Sequence, residues 1–396
     1  MGEDAAVLDG ITVVELASVV SGPFAGMMLA QAGADVVKVE SFVGDVTRSW
    51  GPVHEGVSAY YFTLNGGKRS IAVDTRTPDG LAVVRELIAG ADVVVENWRP
   101  GVASRIGLDL DELRAAHDQL ITVSIRGFGE EGPYSAERVY DPVIQGVSGM
   151  AGSQADDRGP QLIATNLPDK LASMAVVQGV LGALFERSRT GRGRHVQVSM
   201  VDVAVSFLWP DIMRNFTFAD AEGRGHGPGK ASRTSAIFQT GDGRNVAFTA
   251  ISDADWTGLC DVAGVDGLYE QYRGIGKRAD LIDEVADALT AAFVGRDRDE
   301  VLAALHVAGV PAGPVHLTHE VFDDPQVVLN GVVRETEIEG HGRVRQATSP
   351  VPLDDPADRR WTTPAPALGQ HTDELLASLG RDADEIARLR AEAIVA

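Results

Sequence analysis

The chain has 396 residues, more than one hydrophobic core usually organises, so two domains are expected. With 44% hydrophobic and 23% charged residues it has the make-up of an ordinary globular protein, not of a disordered or fibrous one. A formal charge of -22, from 57 acidic against 35 basic residues, argues against nucleic-acid or anionic-membrane partners, so any phosphate-bearing ligand needs a local basic cluster.

In chain order, Ile11 to Ala17 reads as a buried strand, Pro23 to Ala32 as a helix with proline near its first turn, and Asp35 to Glu40 as the next strand. The βαβ pattern continues with strand Ser70 to Asp74, helix Pro78 to Ala89, strand Asp92 to Glu96, helical residues to His117 and strand Leu120 to Ile125. This alternation predicts an α/β fold whose parallel strands are covered on both faces. The clearest helix runs from Leu171 to Arg187, with Leu171, Met174, Gln178, Leu181 and Phe185 on one stripe and Gly191 as its stop signal. Gly179 and Gly182 inside it predict close packing on a neighbour. Strand His195 to Ser199 follows, and Val201 to Phe218 reads as an apolar helix leaving the first domain.

The Gly-rich, basic stretch Gly223 to Arg233 has the composition of a linker, and a domain boundary is placed there. Beyond it, a strand pair around Gly241-Asp242-Gly243 and several amphipathic helices predict a small α+β domain. The proline-rich C-terminal part reads as an extended tail ending in a helix from Thr372 to Leu379.

The single cysteine, Cys260, forms no internal disulfide and reads as core, which fits a reducing compartment. No signal peptide is visible and no apolar run nears the ~20 residues a membrane span needs, so a cytoplasmic protein is expected. The first turn, Ser21-Gly22-Pro23-Phe24-Ala25-Gly26, lacks the G-x-G-x-x-G spacing of dinucleotide-binding sites. Glu40 reads either as a ribose ligand or as a solvated strand end. No P-loop, H-E-x-x-H or G-x-S-x-G motif occurs. His316 and His319 read as loop or capping residues, and no metal site is expected. Arg187, Arg189, Arg192 and Arg194, with Lys68, Arg69, Arg99, Arg105 and Arg138, are either phosphate binders or solvated turns. Asp169, between Pro168 and Lys170, reads on its own residues as a helix N-cap. A cap is compatible with a nucleophile, because helix N–H groups would keep the carboxylate ionised.

Several segments together resemble the family III CoA-transferases, the group that includes formyl-CoA and carnitine CoA-transferases and, as a branch, α-methylacyl-CoA racemases. They are LDGITVVELASVVSGPFAGMMLAQAGADVVKVE, the GD.TR pattern at Gly44 to Arg48, NGGKRSIAVD, ADVVVENWRPGVASRIGLD, SIRGFGEEGPY, YDPVIQGVSGM, LPDKLASMAVVQGVLGALFERSRTGRGRHVQVSM, DDP at Asp323 to Pro325, and LGQHTDELL. Their common order is what makes the likeness specific. The resemblance implies a Rossmann-like large domain with a parallel sheet plus a smaller α+β domain, and two chains interlocked as a homodimer. It implies a large domain over 1–200, a linker helix and loop over 201–233, the small domain over 234–321, a return linker over 322–350, and 351–396 completing the large domain.

By the same resemblance, Asp169 is the carboxylate that forms an anhydride with the acyl group and then a CoA thioester. CoA or acyl-CoA is the substrate, and no tightly bound cofactor is implied. CoA contacts are implied at Val20, Ser21, Val73, Asp74, Thr75, Arg76, Asn97, Trp98, Arg99, Arg105 and Arg138, with Tyr140 and Asp141 at the acyl site. Relatives commonly carry an arginine over adenine where this chain has Ser41 followed by Phe42, with Phe42 a substitute. The racemases that this family resembles carry a histidine where Tyr140 stands, so transfer is favoured over the alternative, α-methylacyl-CoA racemisation. The glycine-rich covering loop of formyl-CoA transferases is not recognisable.

Overall fold

The structure, a computed structural model, describes residues 6–218, 235–265, 281–352 and 363–396. The Gly223–Arg233 linker stretch lies outside the described residues. The chain divides into two compact units, Met1–Phe207 with Leu329–Ala396, and Leu208–Val328.

The first unit is built on six parallel strands: β1 (Thr12–Glu15), β2 (Asp35–Glu40), β5 (Lys68–Ala72), β6 (Val93–Glu96), β7 (Ile121–Arg126) and β8 (His195–Ser199). A short hairpin of β3 (Val53–His54) and β4 (Val57–Ser58) stands apart. The sheet order is β5-β2-β1-β6-β7-β8. The first strand thus lies in the middle and the chain winds outward in both directions. Val13 pairs with Val36 on one side and Val93 on the other. Valine-rich runs serve such central strands because both faces are covered, and every residue of β6 and β7 is buried. The order reverses between β1 and β6, so a crevice is expected beyond their C-terminal ends.

The crossover helices are α1 (Ser21–Gln31), α2 (Ala59–Asn65), α3 (Pro78–Ala89), α4 (Val102–Arg105), α5 (Leu110–Ala116), α6 (Asp141–Val147), α7 (Met150–Ser153) and α8 (Leu167–Thr190); α9 (Met200–Leu208) follows β8. Local chemistry sets their ends. In α3 the Thr77 hydroxyl accepts the Gly80 N–H at 3.1 Å, Pro78 opens the first turn, and Gly90 follows the last. Val83, Val84, Leu87 and Ile88 bury the inner face of α3 against the sheet, each stabilising by roughly 1.5–3 kcal/mol.

The long helix α8 buries a face other than its large apolar stripe. Its buried face is Ala172, Ser173, Val176, Val180 and Ala183, while Met174, Leu181 and Phe185 are 59%, 40% and 68% exposed. Small residues face inward because the helix approaches its neighbours closely: a Cβ on Gly179 would lie 2.5 Å from Val196 Cγ1, whereas one on Gly182 would meet nothing. The helix expected to run to Phe218 stops at Leu208, two residues before Pro210, whose ring disfavours helical geometry in the residue preceding it. The expected return linker is not plain connector. It holds a helix, Pro325–Asn330, and an antiparallel hairpin of β12 (Val333–Ile338) and β13 (Gly342–Ala347). Behind Thr372–Ser378 comes a second helix, Ala383–Ala391, which the pattern reading missed although Asp382 caps it through the Glu385 N–H at 2.9 Å.

The second unit has an antiparallel sheet of β9 (Ser235–Gln239), β10 (Asn245–Thr249) and β11 (Ala312–Val315), ordered β11-β10-β9. Helices Asp253–Ala263, Leu281–Val294 and Arg298–Val307 accompany it around Phe248, Trp256 and Phe293. Cys260 is buried there. His316 pairs with Asp324 at 2.9 Å, and no group of three or more metal-ligating side chains occurs among the described residues. None of the described helices is long and apolar enough to cross a membrane.

Candidate active site

The loops that leave the C-terminal ends of the parallel strands carry the residues singled out from the sequence. Val20 and Ser21 follow β1, Ser41 and Phe42 follow β2, Val73 to Arg76 follow β5, Asn97 to Arg99 follow β6, and Arg138 to Asp141 follow β7. The turn after β1 is tightly fixed. Asn97 accepts the Ser18 N–H at 3.0 Å and donates to the Ser18 carbonyl at 2.7 Å, joining the two strands that flank the order reversal. Gly22 is required for that approach, since a Cβ there would fall 2.1 Å from the Ala17 Cβ.

Asp169 lies in the first turn of α8 but is not its cap. Asn166 occupies the cap position without a side-chain bond, and the Asp169 N–H is taken by Asp141 Oδ2 at 3.1 Å. The helix start is therefore satisfied from α6, by a carboxylate that is itself held by Gln145 at 2.7 Å. Gln145 also grips both ends of the approaching segment, through the Ile163 N–H at 2.9 Å and the Thr165 carbonyl at 3.2 Å. The Asp169 carboxylate is consequently free for other work.

The expectation that the helix keeps Asp169 fully ionised at neutral pH is corrected. Burial, then the negative charge of Asp141, push its pKa up to about 7, outweighing the Ser21 hydroxyl bond and Lys170. Asp141 is raised as well, chiefly by burial. Two carboxylates held this close resist joint ionisation, so they titrate as a pair.

The other side chains fall into distinct places. Asn97, Trp98, Arg99, Arg138 and Tyr140 line one cavity of about 170 Å³. Tyr140 is 52% exposed, and Arg138 approaches its hydroxyl at 3.5 Å. Ser41, Phe42, Arg99, Arg105 and Arg138 are exposed, with Phe42 at 37% beside the open Val43. Arg76 is clasped by Asp74 at 2.8 Å, which draws Asp74 down to about 2. Val73 is buried, its N–H bonded to the Glu40 carbonyl, and the Asp74 N–H bonds the Ile394 carbonyl.

Several basic residues do not belong to this place. Lys68 is buried against Glu15 at 2.8 Å, and Arg69 pairs with Asp35 and Glu374. Arg187 pairs with Asp92 at 2.8 Å and Arg194 with Glu186 at 2.6 Å. Both sit at the far end of α8, ~27 Å along the helix from Asp169 for the 18 residues between 169 and 187. Glu40 is neither solvated nor open to a ribose. It is buried, bonded to Ser70 at 2.9 Å and to Arg48 at 2.6 Å.

Sequence reasoning passed over Tyr60 and Trp50. Tyr60 accepts from Asn166 Nδ2 at 2.6 Å, and burial followed by the negative charges of Asp169 and Asp141 raises its pKa. The Trp50 ring packs on it with centroids 5.4 Å apart. No local motif marks either residue.

A doubly wound parallel sheet with a pair of carboxylates beside its switch point defines the class as an α/β protein with a candidate site at the strand ends. The chain belongs to CoA-transferase family III, whose sequence pattern it matches over residues 8–372. It is 33% identical to the succinate–glutarate CoA-transferase of Agrobacterium fabrum, over 94% of this chain and 95% of that one. It is 31% identical to the formyl-CoA:oxalate CoA-transferase of Streptomyces coelicolor, over 98% and 99%. A CAIB/BAIF family protein from Brucella suis superposes with a TM-score of 0.81 at 34% identity, covering 94% of this chain and 99% of that one.

Proposed function

We propose that this CoA-transferase moves CoA from an acyl-CoA thioester to a carboxylic acid through covalent intermediates on Asp169. The observation that carries this reading is the Asp169 carboxylate itself, freed from capping, partly buried, and raised in basicity to about 7 at the sheet's switch point. Asp169 attacks the donor thioester carbonyl, and the CoA thiolate leaves to give a mixed anhydride. The thiolate then attacks the aspartyl carbonyl, expelling the donor acid and forming an aspartyl-CoA thioester. The acceptor carboxylate attacks that carbonyl and releases the thiolate, which takes the new acyl group from the second anhydride and regenerates Asp169. Each exchange trades one carboxylate leaving group for another or for a thiolate, so the protein's task is to position the groups and keep water out. A thiolate held beside the anhydride has an effective concentration of ~10⁵ M or more, which favours its recapture.

The relatives' names point to succinyl, glutaryl, formyl and oxalyl groups, so short mono- and dicarboxylic CoA thioesters are the first substrates to try. The test is to incubate each thioester with a panel of acids and measure new thioesters chromatographically. Formation of a new acyl-CoA without matching hydrolysis supports transfer. Exchange of the α-proton of a 2-methylacyl-CoA for deuterium without an acceptor would instead indicate racemisation, against which the presence of Tyr140 in place of a histidine argues.

The CoA phosphates are assigned to the exposed Arg105 and Arg138, with Phe42 beneath the adenine. Arg105→Ala and Arg138→Ala are each expected to raise KM for the acyl-CoA by about tenfold while leaving kcat within a factor of two or three. An unchanged KM in both variants removes these arginines from the phosphate site.

The chain is proposed to work as an interlocked homodimer. The apolar stripe Met174, Leu181 and Phe185 lies uncovered on α8. A second copy of the chain is its proposed cover. Met174→Lys with Phe185→Asp is expected to halve the sedimenting mass in analytical ultracentrifugation, and a native protein that already sediments as a monomer would contradict the assignment.

A further inference from the structure

Val19 adopts φ +72°, a left-handed conformation that a β-branched residue rarely takes, one residue before the start of the turn that meets Asp169. Such an outlier persists only where its surroundings over-determine it. Here the cause is Asp45, whose two carboxylate oxygens accept the Val19 N–H at 3.3 and 3.2 Å. Asp45 is 5% exposed and is itself fixed from three sides. Its Oδ1 takes the Thr47 N–H at 3.0 Å and the Thr47 hydroxyl at 2.8 Å, and its Oδ2 lies 3.0 Å from the buried Lys38 ammonium. Lys38 in turn meets Glu15 at 2.9 Å and the Ala17 carbonyl at 3.0 Å, so the clamp is anchored in strands β1 and β2.

What the clamped turn presents is Ser21. Its hydroxyl lies 3.4 Å from Asn97 Nδ2, and the Ser173 hydroxyl of α8 donates both to the Ser21 carbonyl at 2.7 Å and to the Asp169 carbonyl at 2.8 Å, tying the turn to the start of α8. The strained residue thus sits between Ser18, fixed by Asn97, and Ser21, which Ser173 ties to the turn that carries Asp169.

We propose that Asp45 is a positioning residue for CoA transfer: it holds Val19 in the left-handed conformation and thereby sets the Ser21 turn against the first turn of α8 that carries Asp169. This rests on the reading of Asp169 as nucleophile. The residue acts through the backbone, which explains why a buried acid stands two residues ahead of Thr47 in the loop after β2.

Three variants test it. In Asp45→Asn the amide N–H₂ replaces an oxygen that faces two donors, the Val19 N–H and Lys38, so the clamp is broken while the shape is kept. It is expected to lower kcat on the order of 10–100-fold with little change in KM, as displacement of a catalytic contact does. Adding Val19→Gly, which adopts positive φ without steric cost, is expected to restore most of the lost kcat. Val19→Pro leaves the Asp45–Lys38 pair intact but has neither the N–H nor access to φ +72°, and it is expected to lose kcat at least as far as Asp45→Asn. Losses of Asp45→Asn and Val19→Gly that simply multiply, or full kcat in Val19→Pro, overturn the proposal; the Val19→Pro arm decides alone should Asp45→Asn fail to fold. Asp169→Ala is assayed in parallel: full transfer there removes the nucleophile, whereas loss there combined with multiplying losses at Asp45 and Val19 removes only the clamp.

Discussion

Replacing Asp169 with alanine is expected to reduce CoA transfer by about 10³-fold or more while the protein still binds acyl-CoA. The size follows from the chemistry: without the carboxylate there is no anhydride and no enzyme-bound thioester, so the remaining site can only hold the substrates. Binding should survive, because the phosphates are assigned to Arg105 and Arg138 and the α8 N-terminus is satisfied by Asp141 through a backbone N–H that alanine retains. The measurement is initial rate against acyl-CoA concentration, with Kd for the same thioester determined calorimetrically. Transfer within a few-fold of the native rate would show that another group carries the acyl chain.

The second large effect is in pH. In the proposed mechanism only ionised Asp169 attacks the thioester, and its pKa is raised to about 7 by burial and by Asp141. The ionised fraction therefore falls as pH drops below that value, and kcat/KM should decline about tenfold per unit, to about 1% of its plateau at pH 5. Above pH 8 the profile should be flat on this limb. Asp141→Asn removes the neighbouring negative charge, so the limb should move to lower pH by on the order of one unit. Because the two carboxylates titrate together, the apparent values belong to the pair. A flat profile from pH 5 to 8, or a limb that moves upward in Asp141→Asn, would contradict the assigned electrostatics.

Much of the large unit was legible in the sequence because its signals are local and periodic. Asp35–Glu40, Pro78–Ala89 and His195–Ser199 fall where the valine runs and the Thr-Pro start place them. The long helix was legible as a helix but not in its facing. Periodicity grouped the large apolar residues on one stripe, and close approach to the sheet, which demanded Ala, Ser and Gly, left Met174 and Phe185 of that stripe outside. Periodicity reports which residues share a face, not which face has room.

The site was legible in part for a similar reason. Family resemblance picked out loops that the fold gathers at the strand ends. The role of Asp169 at its helix start was misread, since only the fold could bring Asp141, 28 residues away in sequence, to cap α8 in its place. Tyr60 and Asn166 carry no pattern of their own, and Asp45 stands out only as a member of the GD.TR pattern, without a role. They matter through contacts at sequence separations of 106 for Tyr60 with Asn166 and 26 for Asp45 with Val19, which no local window contains. Glu40 and Lys68 were read as exposed options because charged residues usually are, yet both are paired inside the sheet's edge.

The central claim is that Asp169 carries the acyl group and then CoA. Incubating the protein with an active acyl-CoA, quenching with hydroxylamine and mapping the hydroxamate by peptide mass spectrometry tests it directly. Modification of Asp169, dependent on the thioester and absent when CoA alone is supplied, is the predicted result. A hydroxamate on Asp141 or any other carboxylate, with Asp169 unmodified during turnover, would contradict it.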